Sequence, residues 1–86
     1  MDKRYDIHFA DSVYDDLRDI PSQIGDSILD QIENLESFPE MGLEINRKSW
    51  NGYQLVVEGY RILYKIDKEK QLVEIYHIKH GKRNFQ

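Results

Sequence analysis

The chain contains no cysteine, only two prolines and five glycines, and no apolar stretch approaching the ~20 residues that a membrane-spanning helix needs. Without cysteine there are no disulfides, no thiolate metal sites and no cysteine nucleophile. The prolines and glycines are scattered, so no low-complexity segment or linker divides the chain. The opening residues, MDKRYDIHFADS, lack the apolar core of a secretory signal. These absences predict one cytoplasmic domain spanning residues 1–86. A domain of this length buries roughly 60–65% of the surface its unfolded chain exposes, so its core must be small. No His, Asp and Glu spacing suggests a metal, and no cofactor is expected.

Charge is present in quantity but is unevenly placed. The chain is acidic overall, with 16 Asp and Glu against 12 Lys and Arg. Residues 1–44 hold twelve acidic and three basic residues, whereas residues 45–86 hold four acidic and nine basic ones. The last eleven residues, YHIKHGKRNFQ, carry three Lys or Arg, two His and no acid. Such a split suits one surface facing water or a basic partner and another facing an anion. Solvated helices and hairpin turns account for it equally well.

Periodicity supplies the elements. RYDIHF alternates Tyr5, Ile7 and Phe9 with polar neighbours, the period of a half-buried strand. ADSVYDDLRDI follows, with Asp11 or Ser12 as the N-cap and Val13, Leu17 and Ile20 on one helical stripe. Pro21 suits a first helical turn and opens a second helix, SQIGDSILDQIENLESF, whose stripe is Ile24, Ile28, Ile32 and Leu35. FPEMGLEINRKSWNG shows no sustained period and reads as a loop. Three strands close the chain, YQLVVE, YRILYKI and LVEIYHIK, joined at Glu58-Gly59 and at Asp67–Lys70. The expected fold is α+β, in the order β-α-α-β-β-β, with a helical hairpin on one face of an antiparallel sheet.

Alternation then assigns the faces. Tyr60, Ile62, Tyr64 and Ile66 form the better core set, which turns Arg61, Leu63 and Lys65 outward. Tyr53, Leu55 and Val57 likewise point in, and Gln54, Val56 and Glu58 out. In the last strand both sets hold apolar residues. Counting back from Arg83 in twos places Gly81, Lys79 and His77 on one side. A face carrying Arg61, Lys65, Lys79 and Arg83 is a ready phosphate site.

The run WNGYQLVVEGYRILYKIDKEKQLVEIYHIKHGKRNF resembles the C-terminal half of RelE/ParE-superfamily toxins of toxin–antitoxin systems. Its most specific piece is GYRILY, Gly59 to Tyr64, and the upstream strand, paired helices and L…FP agree with the same pattern. The resemblance implies a partner antitoxin that covers the helices and part of the sheet's concave face. It also implies one of two activities: ribosome-dependent mRNA endoribonuclease, or non-enzymatic inhibition of DNA gyrase. A degenerate toxin fold that only binds its antitoxin is a third possibility. The first is the favoured expectation, with the ribosome and mRNA as partners. It needs a base for the 2′-hydroxyl, a cation over the phosphate and an acid for the leaving 5′-oxygen.

By the same resemblance, Arg61 is the phosphate and transition-state contact, its fork able to bridge two oxygens. An ion pair with Glu58 or Glu74 is the plainer role. Glu44, nine positions before Tyr53, matches the catalytic glutamate of one subgroup and is the candidate base. His80 is the candidate acid, since imidazole alone titrates near neutrality unaided; His77 is its substitute, and His8 is set aside. Lys79, Lys82 and Arg83 resemble the family's basic cluster for RNA, and Arg47, Lys48 and Lys65 extend it. Trp50 and Tyr53 offer rings that stack on bases or fill the core. Two departures stand against the nuclease: YQLVVE has no lysine where RelE-type endonucleases carry them, and Phe85 lacks the hydroxyl of their terminal tyrosine. HIKHGKRNF is also similar to the ending common among ParE-type toxins.

Overall fold

A computed structural model of the chain describes residues 4–81. Strand β1 (Asp6–Phe9) leads into helices α1 (Asp11–Arg18) and α2 (Ser22–Asn34), followed by β2 (Leu43–Asn46), β3 (Asn51–Val57), β4 (Tyr60–Asp67) and β5 (Leu72–His80). The strands form one sheet in the order β1-β5-β4-β3-β2. The α+β expectation therefore holds, with a helical pair on one face, but the sheet has one strand more than the periodicity shows. Part of the expected loop is β2, which pairs antiparallel with β3 from Leu43↔Gln54 to Asn46↔Asn51. Four residues with one cycle of alternation are too few to stand out from a loop in sequence. The sheet is also not wholly antiparallel, because β1 lies parallel to β5. The two helices supply the long connection from β1 at one edge to β2 at the other.

Helix boundaries follow local chemistry. Ala10, not Asp11 or Ser12, is the N-cap of α1, and it makes no side-chain cap bond. The Ser12 hydroxyl instead donates to the Tyr76 carbonyl, fastening the first turn to β5. Asp16 on the same helix accepts a hydrogen bond from the Ile78 amide. Pro21 is the N-cap of α2, its fixed φ leading the chain into the helix.

The core lies between the helices and one sheet face. Val13, Ile20, Ile28, Ile32 and Leu35 meet Ile62, Tyr64, Val73, Ile75 and Ile78, all buried. At about 1.5–3 kcal/mol for each large apolar side chain, this interface dominates the stability of so small a domain. Tyr64 is its largest fully buried side chain, and its ring stacks on Tyr53 at 5.3 Å between centroids. Its hydroxyl donates to the Pro39 carbonyl at 2.8 Å and accepts from the Gly42 amide at 2.9 Å. Burial pushes the phenol pKa up to about 12, against the opposing pull of the Gly42 bond. It is neutral at any ordinary pH.

The β3–β4 turn is tight because Glu58 and Gly59 both take positive φ, 52° and 81°. That is the backbone of a type I′ hairpin turn, whose twist matches its strands. Between β4 and β5 the register slips once: Leu63 faces His77, while Tyr64 faces Ile75. Tyr76 is the extra residue of a β-bulge.

Candidate functional site

The face opposite the helices carries the candidate chemistry. Directly paired residues share a face, so the register places Arg61 beside Lys79, Leu63 beside His77, and Lys65 beside Glu74. On the other side of β4, Val56 lies across from Arg61 and Gln54 from Leu63. Neither residue directly opposite Arg61 is a carboxylate. His8 of β1 joins this face opposite Glu74, its Nδ1 3.8 Å from a Glu74 carboxylate oxygen.

Trp50 lies across the middle of the face. Its indole N–H donates to the Tyr53 carbonyl, and its ring centroid is 5.6 Å from Tyr76 and 6.2 Å from His77. Gly52 makes room for it: a Cβ there would stand 3.1 Å from the indole and 2.7 Å from the Tyr64 carbonyl oxygen. The Lys65 ammonium is held 5.2 Å from the Trp50 centroid and 5.5 Å from that of Tyr76. Cation–π attraction thereby orients a side chain that is otherwise free to swing. The Tyr76 hydroxyl donates to Glu74 at 3.3 Å, and burial followed by the nearby carboxylate raises its pKa.

The bulge explains how Tyr76 and His77, consecutive in sequence, both reach Trp50. It also explains why alternation is ambiguous along β5: Val73 and Ile75 point to the core before the slip, and Ile78 after it.

The three residues assigned to catalysis by resemblance are not brought together. Arg61 and Lys65 are on the open face, as alternation predicts. Glu44 pairs with Tyr53, which places it on the helix-bearing face, with β3 between its strand and that of Arg61. His80 pairs with Tyr60 on the same helix-bearing face, its ring 4.8 Å from the tyrosine's. There it borders a hollow of about 360 Å³ with Asp16, Asp19, Ile20, Tyr60 and Ile78. Spacing along the chain does not register the face on which a side chain emerges, and here the face separates the set. His77, the substitute, shares the face of Arg61. Arg47 and Lys48 sit at the β2–β3 hairpin, whose ends are joined by the Arg47 amide and the Trp50 carbonyl. Lys82, Arg83 and Phe85 lie outside the described residues.

Gln54 occupies the open face beside Leu63. It is 6% exposed, and its Oε1 has no hydrogen-bond partner among the described residues. The next outward residue, Val56, is 58% exposed. Among the described residues no group of His, Asp and Glu is arranged to hold a metal, and no helix is long and apolar enough to cross a membrane.

The family model for the ParE toxin of type II toxin–antitoxin systems, parDE, matches residues 7–85. The chain belongs to the ParE toxin family. Solved structures extend the likeness to the RelE side of the superfamily. The RelBE2 toxin–antitoxin complex of Mycobacterium tuberculosis contains a chain 25% identical, with a TM-score of 0.81 over 90% of this chain and 98% of that one. The RelE–RelB complex of Pyrococcus horikoshii gives 18% identity and a TM-score of 0.79 over 94% and 99% of the two chains. The intact RelBE complex of E. coli gives 18% and 0.76 over 92% and 99%. No curated protein matches the chain in sequence. This ParE-family toxin is thus a type II toxin with the fold of RelE, and its open face carries Arg61, Lys65 and Lys79 beside the Trp50 and Tyr76 rings.

Proposed function

We propose that the protein is a ribosome-dependent mRNA endoribonuclease restrained by a partner antitoxin. The observation that carries this reading is the Arg61–Lys79 pair on the open face, with His77 diagonal to Arg61 across β4 and β5. Arg61 spans two oxygens of the scissile phosphate and Lys79 adds a second positive charge. His77 takes the proton of the 2′-hydroxyl as the 2′-oxygen–phosphorus bond forms. The phosphorus–5′-oxygen bond breaks, and the leaving oxygen takes a proton from water. A cyclic phosphate and a 5′-hydroxyl remain. The antitoxin partner is supported by the neighbours themselves, which are toxin–antitoxin complexes.

A second reading, a gyrase inhibitor without chemistry, is favoured by the family model and by the separation of Glu44 and His80 from Arg61. Primer extension on a defined mRNA in a reconstituted translation reaction distinguishes the two. Cuts in the ribosomal A-site codon that disappear with Arg61→Ala and His77→Ala support the nuclease. No cuts from the wild-type protein, together with inhibition of gyrase supercoiling, establish the alternative.

A further inference from the structure

The loop between α2 and β2 exposes large apolar side chains on a backbone that is held fixed. Phe38 is 65% exposed and Met41 39% exposed. With Pro39 and Glu40 they border a hollow of about 630 Å³. The loop is anchored at both ends by the Tyr64 hydroxyl, through Pro39 and Gly42, and in the middle by a 2.8 Å ion pair between Glu40 and Lys68. Gly42 is required at its place, since a Cβ would stand 2.7 Å from both the Tyr64 hydroxyl and the Gln54 carbonyl. A loop serving only as a connection is ordinarily polar. Here a buried phenol fixes apolar groups in water, so a partner that covers them orders little on binding.

The surroundings say what kind of partner fits. Glu40 and Glu44 both act on the Tyr53 hydroxyl, whose pKa is raised by burial and then by these two carboxylates. Glu33 ends α2 with Asn34, and Glu36 lies on the turn between that helix and Phe38, with Arg4 3.9 Å from Glu36. Acids outnumber cations here, Glu33, Glu36, Glu40 and Glu44 against Arg4 and Lys68, as they do in the whole first half of the chain.

We propose that the Phe38–Met41 ridge seats the antitoxin through a segment that sets apolar side chains between Lys or Arg residues, the cations facing Glu44 and sharing Glu40 with Lys68. This rests on the antitoxin reading above. It gives Glu44 a role in recognition on the helix-bearing side, away from the RNA-facing cations.

The test is calorimetric titration of the purified chain with the protein encoded by the adjacent reading frame. Phe38→Ser with Met41→Ser is expected to weaken binding about 10- to 100-fold, as for buried anchor residues of an interface. Circular dichroism and melting temperature should remain those of wild type, and Phe38→Leu should retain binding. Glu40→Gln with Glu44→Gln should weaken binding at low salt and lose that difference at high salt. If both double variants bind like wild type, the antitoxin sits elsewhere and the proposal fails while the antitoxin reading stands. If wild-type chain binds nothing, both fall. If the wild-type chain self-associates and the Phe38/Met41 variant does not, the ridge belongs to a homodimer and the proposal is overturned.

Discussion

Tyr64 and Tyr76 lie on adjacent strands and opposite faces of one sheet, and their hydroxyls do different work. The first is fully buried, with a donor and an acceptor bond that tie down a loop. The second is half-buried, its hydroxyl on Glu74 and its ring against Trp50 and the Lys65 ammonium. The Tyr64 hydroxyl is consumed in holding the fold, whereas around Tyr76 the open face sets a carboxylate, a ring and an ammonium together beside water. Stability and activity should therefore respond to different substitutions, although the two faces share every strand.

The largest effect that sharpens this contrast is expected from Arg61→Ala. Loss of the phosphate contact should lower cleavage at least about 100-fold, the scale on which a transition-state charge contact acts, with growth inhibition lost in parallel. Chemical denaturation should show little change in stability. Glu44→Gln should leave cleavage within about threefold of wild type, since its strand and face separate it from Arg61. An equal loss in both variants would mean that the faces do not divide the labour.

Next comes Tyr64→Phe. It removes both hydroxyl bonds, leaving the Gly42 amide and Pro39 carbonyl to be satisfied otherwise, at a cost of about 1–3 kcal/mol. A melting temperature lower by roughly 4–8 °C per kcal/mol is the readout. A related test uses pH. The Tyr64 pKa is raised from 10.0 to about 12 by folding, so its contribution is complete below pH 10 and disappears as pH rises through about 12. Wild-type protein should lose stability across that interval more steeply than Tyr64→Phe, in denaturant titrations at stepped pH. The smallest effect is Gln54→Met, which relieves a buried carbonyl without a partner among the described residues. It should raise stability by about 1 kcal/mol, seen as a modest rise in melting temperature.

Much of this architecture is legible in the residues. The stripes of α1 and α2, the meander and the inward set of β4 all follow from period, because one side of each element is covered by core. What is not legible depends on pairing. β2 is short, at an edge, and owes its conformation to β3. The bulge at Tyr76 changes the phase of β5 without any glycine or proline to mark it, so Tyr76 goes unnoticed as a companion of Trp50 and Lys65. Resemblance picks out Glu44 and His80 by linear order, and linear order carries no information about face. Alternation does place Arg61 and Lys65, because a single well-covered strand fixes its own parity.

Trp50 is the only tryptophan in the chain, and it lies on the open face in contact with Tyr76, His77 and Lys65. The molecule therefore contains its own optical probe at the place of interest. Any nucleic acid or protein that displaces the Lys65 ammonium from the indole alters the polarity around that ring. Its ultraviolet emission then shifts without a label, while docking on the far side of the sheet leaves the emission maximum where it was.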